Sequence, residues 1–215
     1  MEDELNIILE NIIFGPDAID DAADDAAAVI DEIVIRLFRT VRSYDLLEYI
    51  VLCGKYDIRR PNEEGVTPAH VICGGDYTDT LSQRLVRLFA EQDISFDVVD
   101  AFGRTPLILA IETEKFSTTE ELLVQGASPK KLMGSLISPL MLSIKMSLND
   151  IAVLLVRLGA DINEISNGET PLSLAIDVRN EYLQGFFEGK GAICPEYDSS
   201  NESVDPETVE NSWYQ

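Results

Sequence analysis

The sequence predicts an all-α repeat solenoid, a stack of about five helix-turn-helix units joined by hairpins. The first observation is a Thr-Pro or Ser-Pro pair that recurs four times, at intervals of 38, 33 and 32 residues. The four prolines are Pro68, Pro106, Pro139 and Pro171. The second observation is a turn about twenty residues after each proline, clearest as Gly-Ala at residues 126–127 and 159–160. A repeat of this length indicates units that bury their apolar faces against one another.

The unit that begins at Thr105 shows each expected element in order. The Thr105 hydroxyl is predicted to cap a helix, and Pro106 suits the first helical position because a missing N–H costs little there. The apolar residues 107–111 supply this short helix, and residues 120–124 supply a second one. Gly126 is expected to end the second helix in a left-handed turn.

Two units depart from this pattern. The long interval after Pro68 predicts an insertion around residues 74–79. The Ser138 unit lacks the glycine that stands two residues before the other three Thr-Pro pairs. It also carries Lys130 and Lys131, so its hairpin is expected to be irregular.

A further, degenerate unit is expected upstream of the clear ones. Residues 46–52 are mostly apolar and are followed by Gly54, which is the pattern of a second helix and its turn. The first helix of this unit would fall within residues 30–40. At the other end, the last unit is expected to finish near Cys194.

The recurring segment resembles the ankyrin repeat, whose period is 33 residues and whose core is Thr-Pro-Leu-His. The four matching segments are Thr67-Pro68-Ala69-His70, Thr105-Pro106-Leu107-Ile108, Ser138-Pro139-Leu140-Met141 and Thr170-Pro171-Leu172-Ser173. The turn Gly159-Ala160-Asp161-Ile162-Asn163 is in phase with them. The chain is similar to inhibitor-type and adaptor-type ankyrin proteins, including the inhibitors of Rel-type transcription factors.

The resemblance implies a concave groove, lined by the hairpin tips and the exposed face of each first helix, in which a protein partner binds. The candidate partner-binding residues are Glu63, Glu64, Tyr77, Ala101, Phe102, Met133, Met146, Ser166 and Asn167. Phe102 is the leading candidate, because an aromatic residue at a tip has little core to bury in and aromatic residues dominate binding hot spots. Packing against the neighbouring hairpin is the alternative for this side chain. Tyr77, in the predicted insertion, is the second candidate.

The sequence predicts no catalytic residue, no metal, no cofactor and no small-molecule substrate, so the protein is not expected to be an enzyme. A site with two histidine ligands or bases cannot be built, because His70 is the only histidine. The resemblance implies that its ring bonds to the backbone of a neighbouring hairpin. Cys53 and Cys73 lie in apolar stretches and are expected in the core. The glycine pair at 74–75 lacks the Lys-Ser/Thr of a phosphate-binding loop.

Charge divides the chain into three parts: an acidic N-terminal helical cap or arm at residues 1–28, the repeat domain at 29–194 and an acidic tail at 195–215. Of the net charge of −23, seventeen negative charges come from residues 1–32 and 195–215, which contain no lysine or arginine. The composition of the tail favours disorder. A surface of this sign repels polyanions, so direct nucleic-acid binding is not expected.

No partner in the membrane is expected either, since the longest apolar runs are far below the roughly 20 residues that span a bilayer. The acidic residues 2–4 are the opposite of the basic start of a signal peptide. Three cysteines, without metal-type spacing, indicate a reducing compartment. The predicted location is the cytosol, with the nucleus as an alternative.

Residues 4–14 have apolar side chains at helical spacing: Leu5, Ile8, Leu9, Ile12 and Ile13. One interpretation is an N-terminal cap on the stack, since terminal repeats need a polar outer face. The other is a detachable acidic arm that binds a basic partner or covers the bases that follow it. These bases are Arg36, Arg39, Arg42, Lys55, Arg59 and Arg60.

Two functions remain open. The first is a regulatory adaptor or inhibitor that binds a protein partner, which could itself be basic, in the ankyrin groove. The second is an acidic chaperone for a basic client, such as a ribosomal protein or histone, in which the charged ends are the binding surface. Strong weakening of binding by salt would favour the chaperone.

Overall fold

The computed structural model describes residues 26–54, 57–130, 137–166 and 168–194. Ten helices in these ranges follow one another as five pairs. They are α1 (Ala26–Thr40), α2 (Tyr44–Leu52), α3 (Pro68–Gly74), α4 (Asp79–Ala90), α5 (Pro106–Glu112), α6 (Phe116–Val124), α7 (Pro139–Lys145), α8 (Asn149–Arg157), α9 (Pro171–Asp177) and α10 (Glu181–Gly189). Within the same ranges no β-strand occurs, and Ser166 and Glu169 form an isolated bridge. The predicted all-α repeat architecture is confirmed.

The predicted caps open the first helix of each clear unit. The hydroxyls of Thr105, Ser138 and Thr170 accept hydrogen bonds from the N–H three residues on, at 3.3, 3.1 and 3.2 Å. A proline occupies the first helical position in each case. Each of these helices has only seven residues. Since isolated helices shorter than about 12 residues are marginal in water, packing between units must stabilise them.

One continuous core provides that packing, and it extends from Val34 in α1 to Phe187 in α10. Each first helix packs on the first helix of the next unit, from α1 through α3, α5 and α7 to α9. The second helices α2, α4, α6 and α8 form a parallel row behind them. Every unit therefore contributes one layer of apolar side chains, and its neighbours complete the burial.

Two turn types recur between these helices. Gly126 ends α6 with a φ of 93°, the left-handed conformation that the sequence predicts. The short turn inside each of the last three pairs is also left-handed, although it carries no glycine: φ is 57° at Glu114 and Ser147 and 56° at Arg179. The next residue then bonds back to the first helix, as in the 2.9 Å bond from the N–H of Lys115 to the carbonyl of Ala110. This bond fixes the angle at which the second helix returns.

The long second unit differs from its prediction. The expected insertion at residues 74–79 accounts for only a slightly longer loop between α3 and α4. Most of the added length is in α4, which has 12 residues where α6, α8 and α10 have nine. An amphipathic helix can be extended at its end without disturbing the stack, because added turns keep the same face toward the core.

The predicted boundaries at the two ends can be placed only in part. Helix α1 begins at Ala26, so the boundary between residues 28 and 29 falls inside a helix. The predicted irregular hairpin at 131–136 and the acidic tail at 195–215 lie outside the described residues. Residues 1–25 of the predicted acidic arm also lie outside them.

Candidate partner-binding surface

The hairpin between the second and third units is built around Asp100. One carboxylate oxygen accepts bonds from the N–H groups of Phe102 and Arg104, both at 2.9 Å. The other oxygen accepts from the Arg104 side chain, at 2.9 Å from Nε and 2.8 Å from a terminal nitrogen. Gly103 completes the turn with a φ of 75°. A buried carboxylate thus fixes both the backbone of the tip and one of its side chains.

The preceding hairpin has the same geometry, with Asn62 in place of Asp100. Its side-chain oxygen accepts from the N–H groups of Glu64, at 3.1 Å, and Val66, at 2.9 Å. The two tips are joined directly, because the N–H of Ala101 donates to the carbonyl of Glu64 at 2.8 Å. This hydrogen bond therefore holds the two consecutive tips in a fixed relative position.

Phe102 is 73% exposed at the second tip. Its ring lies beside the Arg104 guanidinium, 5.0 Å from the ring centroid. This guanidinium is itself held by Asp100 and lies 3.6 Å from the carboxylate of Glu112. The ring is thus positioned by a tethered cation and not by core packing, so most of its surface remains available. The structure excludes burial of Phe102 against the neighbouring hairpin, which was the alternative interpretation.

His70 connects these hairpins through the core. Its Nδ1 accepts from the N–H of Thr67 at 3.1 Å, which leaves Nε2 to donate to the carbonyl of Arg104 at 3.1 Å. Burial lowers the pKa of His70 below its ordinary value, which favours this neutral form. The prediction that the histidine bonds to a neighbouring hairpin is confirmed. Its role in the fold is to hold the backbone that carries Phe102.

The other candidate partner-binding residues differ in how exposed they are. Glu63, Glu64 and Ala101 are exposed beside Phe102. Met146 is half-buried and packs against the core. Ser166 is only 8% exposed, so it is not part of an accessible tip. Met133 and Asn167 lie outside the described residues.

Tyr77 is not accessible to a partner, and its prediction as a surface aromatic is wrong. It is 4% exposed. Its hydroxyl lies 2.8 Å from the carbonyl of Val41 and also contacts that of Phe38. It therefore provides a donor for carbonyls at the end of α1, where four carbonyl groups lack partners within the helix. The Arg42 guanidinium covers the ring, 4.5 Å from its centroid.

Ile165 is an exposed apolar residue that sequence reasoning missed. It is 72% exposed, in the hairpin between the fourth and fifth units. It stands six residues before Pro171, where Asn62 and Asp100 stand relative to Pro68 and Pro106. Without a side-chain acceptor, Ile165 cannot hold the turn as those residues do, and its side chain faces solvent. The apolar residue at a normally polar turn position was the signal in the sequence.

The carboxylate of Asp100 predicts a specific acid sensitivity. Burial alone would raise its pKa, but the bonds from Arg104 and Phe102 outweigh burial, so the pKa lies below the ordinary 3.8. Its stabilisation is therefore complete above pH 3.8 and is lost as pH falls through the lower, folded-state pKa. We expect Asp100→Asn to cost about 2 kcal/mol at neutral pH, because a charge-assisted bond is lost. Thermal melts should show this difference from wild type shrinking below pH 3.8, and a constant difference would contradict the assignment.

Two other kinds of feature are absent from the described residues. In the described part of the chain, no group of three or more His, Cys, Asp and Glu side chains is placed to hold a metal ion. None of the helices there is long and apolar enough to cross a membrane.

Comparison with known proteins agrees with the repeat geometry. The family model for ankyrin repeats, in three copies, matches residues 37–133, which include both tips described above. The mouse protein named B-cell lymphoma 3 protein homolog is 34% identical over 124 residues. This alignment covers 57% of the chain and 27% of the mouse protein, so the chain spans about a quarter of that relative's length. Helices α7 to α10 lie beyond the family match but repeat the same helix pairs.

Proposed function

Because the chain is an ankyrin-repeat protein, we propose that it is a regulatory adaptor or inhibitor that binds a protein partner. Ankyrin repeats, which the family model matches here, are protein-interaction modules. The binding site is the tip surface, formed by Glu63, Glu64, Ala101 and Phe102. Helix-face residues such as Met146 would extend it into the groove.

The exposed ring of Phe102 is the observation that carries this proposal. A large apolar side chain in water is costly unless something covers it, and burying an aromatic ring supplies much of the energy at protein interfaces. The ring also stands on a fixed backbone, since the Asp100 carboxylate accepts bonds from the N–H groups of Phe102 and Arg104. A partner that buries it therefore loses little entropy in ordering the tip.

We expect Phe102→Ala to weaken partner binding by about 2 kcal/mol, roughly thirtyfold in affinity, as for a central aromatic hot spot. The melting temperature should stay within about 2 °C of wild type, because the ring packs on no core residue. Partners would be captured with the purified chain, identified by mass spectrometry and titrated individually against both proteins.

Tyr182→Ala provides the matched control. Tyr182 is 58% exposed on α10, at the far end of the stack from the tip surface. Its replacement removes a comparable exposed aromatic ring and should leave the affinity unchanged. Equal losses for both variants, or no loss for Phe102→Ala, would show that partners bind elsewhere.

The carboxylates of Glu63 and Glu64 favour a partner with basic side chains next to an apolar residue. Both carboxylates are exposed, and the whole chain has a net charge of −23. Opposite charge raises the association rate and selects partners, more than it raises affinity. Reversing both charges with Glu63→Lys and Glu64→Lys should therefore slow association while changing dissociation less.

The acidic chaperone is the second candidate, and the fifteen acidic residues of 1–25 and 195–215 favour it. If these ends bind the client, removing both should abolish binding, and moderate salt should weaken it by orders of magnitude. If the tip surface binds, the truncated chain should retain the partner and lose it through Phe102→Ala. The two functions thus predict opposite responses to the same pair of variants.

A further inference from the structure

Helix α1 carries two apolar stripes, and the main core accounts for only one. Val34, Ile35 and Phe38 belong to the core cluster shared by all the units. Ile30, Ile33 and Leu37 form the second stripe, since spacings of three and four residues place them along one side of a helix. A first helix with two apolar sides departs from the polar outer face that a terminal repeat needs.

Burial along this second stripe increases toward the end of the helix. Ile30 is 48% exposed, Ile33 is half-buried and Leu37 is fully buried. Leu37 nevertheless does not belong to the core cluster that the other buried apolar residues of α1 join. The stripe is thus a second packing face on the first described helix of the stack.

The preceding sequence contains an apolar stripe that matches it. Residues 4–14 have apolar side chains at the spacing of one helix face, and a helix of that length would measure about 16 Å. The second stripe of α1 spans about 10 Å from Ile30 to Leu37. The intervening residues 15–25 can span up to about 36 Å, so they are long enough to return the segment onto α1. Gly15 and Pro16 favour a break directly after it.

The charges of α1 and of the preceding segment are complementary as well. Arg36 and Arg39 are both half-exposed, and both lie 3.9 Å from the same carboxylate, Glu32. Exposed pairs at that distance contribute little, so both cations can take further acidic partners. Residues 1–25 carry nine acidic side chains and no basic one. This segment is therefore a suitable partner for the apolar stripe and for the arginines next to it.

We propose that residues 4–14 of the chain itself dock on the Ile30, Ile33 and Leu37 stripe of α1 and cap the repeat stack. The acidic side chains of the same segment then lie over Arg36 and Arg39 and cover this end against other partners. This docking site lies on α1, whereas the tip surface lies on the hairpins of the second and third units.

Photo-cross-linking from α1 tests the contact directly. A benzophenone amino acid in place of Ile30, which is 48% exposed, should cross-link within the monomer to residues 4–14. Peptide mapping by mass spectrometry locates the product. The same group in place of Tyr182, at the opposite end of the stack, should give no cross-link to this segment. Cross-links between two chains would overturn the proposal and show that a second copy covers the stripe. The absence of any product at residues 4–14 would overturn it too, and would show that this segment does not contact Ile30.

Adjacent isoleucines supply a second test that does not depend on cross-linking. Ile8 lies in the apolar stripe of residues 4–14, whereas Ile7 lies on the opposite side of the same predicted helix. Ile8→Ser should speed amide hydrogen exchange in α1 about tenfold, because its cover is weakened. Ile7→Ser should leave that exchange unchanged. Equal effects of the two substitutions would contradict docking through the stripe.

Discussion

Phe89→Ala is expected to lower the free energy of unfolding by about 4 kcal/mol, the largest effect of any single truncation proposed for this chain. Phe89 in α4 is fully buried. Its ring packs edge-to-face on Phe38 of α1, with the centroids 5.7 Å apart and the planes at 78°. The substitution removes the apolar surface, leaves a cavity between the first two units and loses the aromatic pair, which adds about 1 kcal/mol. Urea unfolding followed by circular dichroism would measure the change.

The location of the destabilisation along the chain is a more specific test than the change in the free energy of unfolding. Units of a repeat stack contact only their neighbours, so a weakened junction need not unfold the whole chain. Hydrogen exchange in Phe89→Ala should speed up in α1 to α4, while α7 to α10 stay protected. Tyr182→Ala, which truncates an exposed ring, should cost less than about 1 kcal/mol. A loss below 1 kcal/mol for Phe89→Ala would show that the junction collapses around the missing ring.

The sequence predicted those parts of the fold that depend on local rules. Thr105, Pro106 and Gly126 are a cap, a helix start and a left-handed turn, and each works through its own backbone. Their recurrence at a near-constant interval predicts stacking, because one unit cannot bury its own apolar face. Architecture and unit count were therefore predictable without knowing any long-range contact.

Features that depend on the partner of a side chain were not predictable. Tyr77 resembles an exposed loop aromatic in the sequence, yet its hydroxyl bonds to the end of α1, more than thirty residues away. The exposure of Phe102 was predictable, because a hairpin tip has no core around it, whatever its neighbours are. Its position beside the Arg104 guanidinium required the structure, since nothing local selects that contact.

Lys115 is a buried cation that no sequence pattern predicts inside the stack. It is 7% exposed in the turn before α6. Its ammonium group donates to the carbonyls of Gly75, at 2.8 Å, and Ile72, at 3.2 Å, and to the hydroxyl of Ser82, at 3.2 Å. These acceptors belong to the previous unit, at the end of α3 and in α4. One cation thus joins two units at a helix end, where carbonyl groups have no partner within the helix.

Two opposing effects decide the contribution of this side chain to stability. Burial lowers the pKa of Lys115, which shows that its charge is disfavoured there. The three hydrogen bonds act in the other direction, and a buried acceptor that loses its donor costs about 1 to 3 kcal/mol. Lys115→Met keeps the length and apolar stem of the side chain but removes every donor. We therefore expect a net loss of about 3 kcal/mol in the free energy of unfolding, measured by urea titration.

Lys145→Met is the matched control, since Lys145 is exposed at the end of α7 and its replacement should change stability by less than about 0.5 kcal/mol. The sign of the change in the free energy of unfolding shows which is larger, the cost of burying the Lys115 charge or the gain from its hydrogen bonds. A variant as stable as wild type, or more stable, would mean that the cost of burying the charge equals or exceeds the bonds it makes, as in other buried ionic groups. A loss near 3 kcal/mol would mean that the ammonium group bridges the second and third units, which hold the two tips of the binding surface in register.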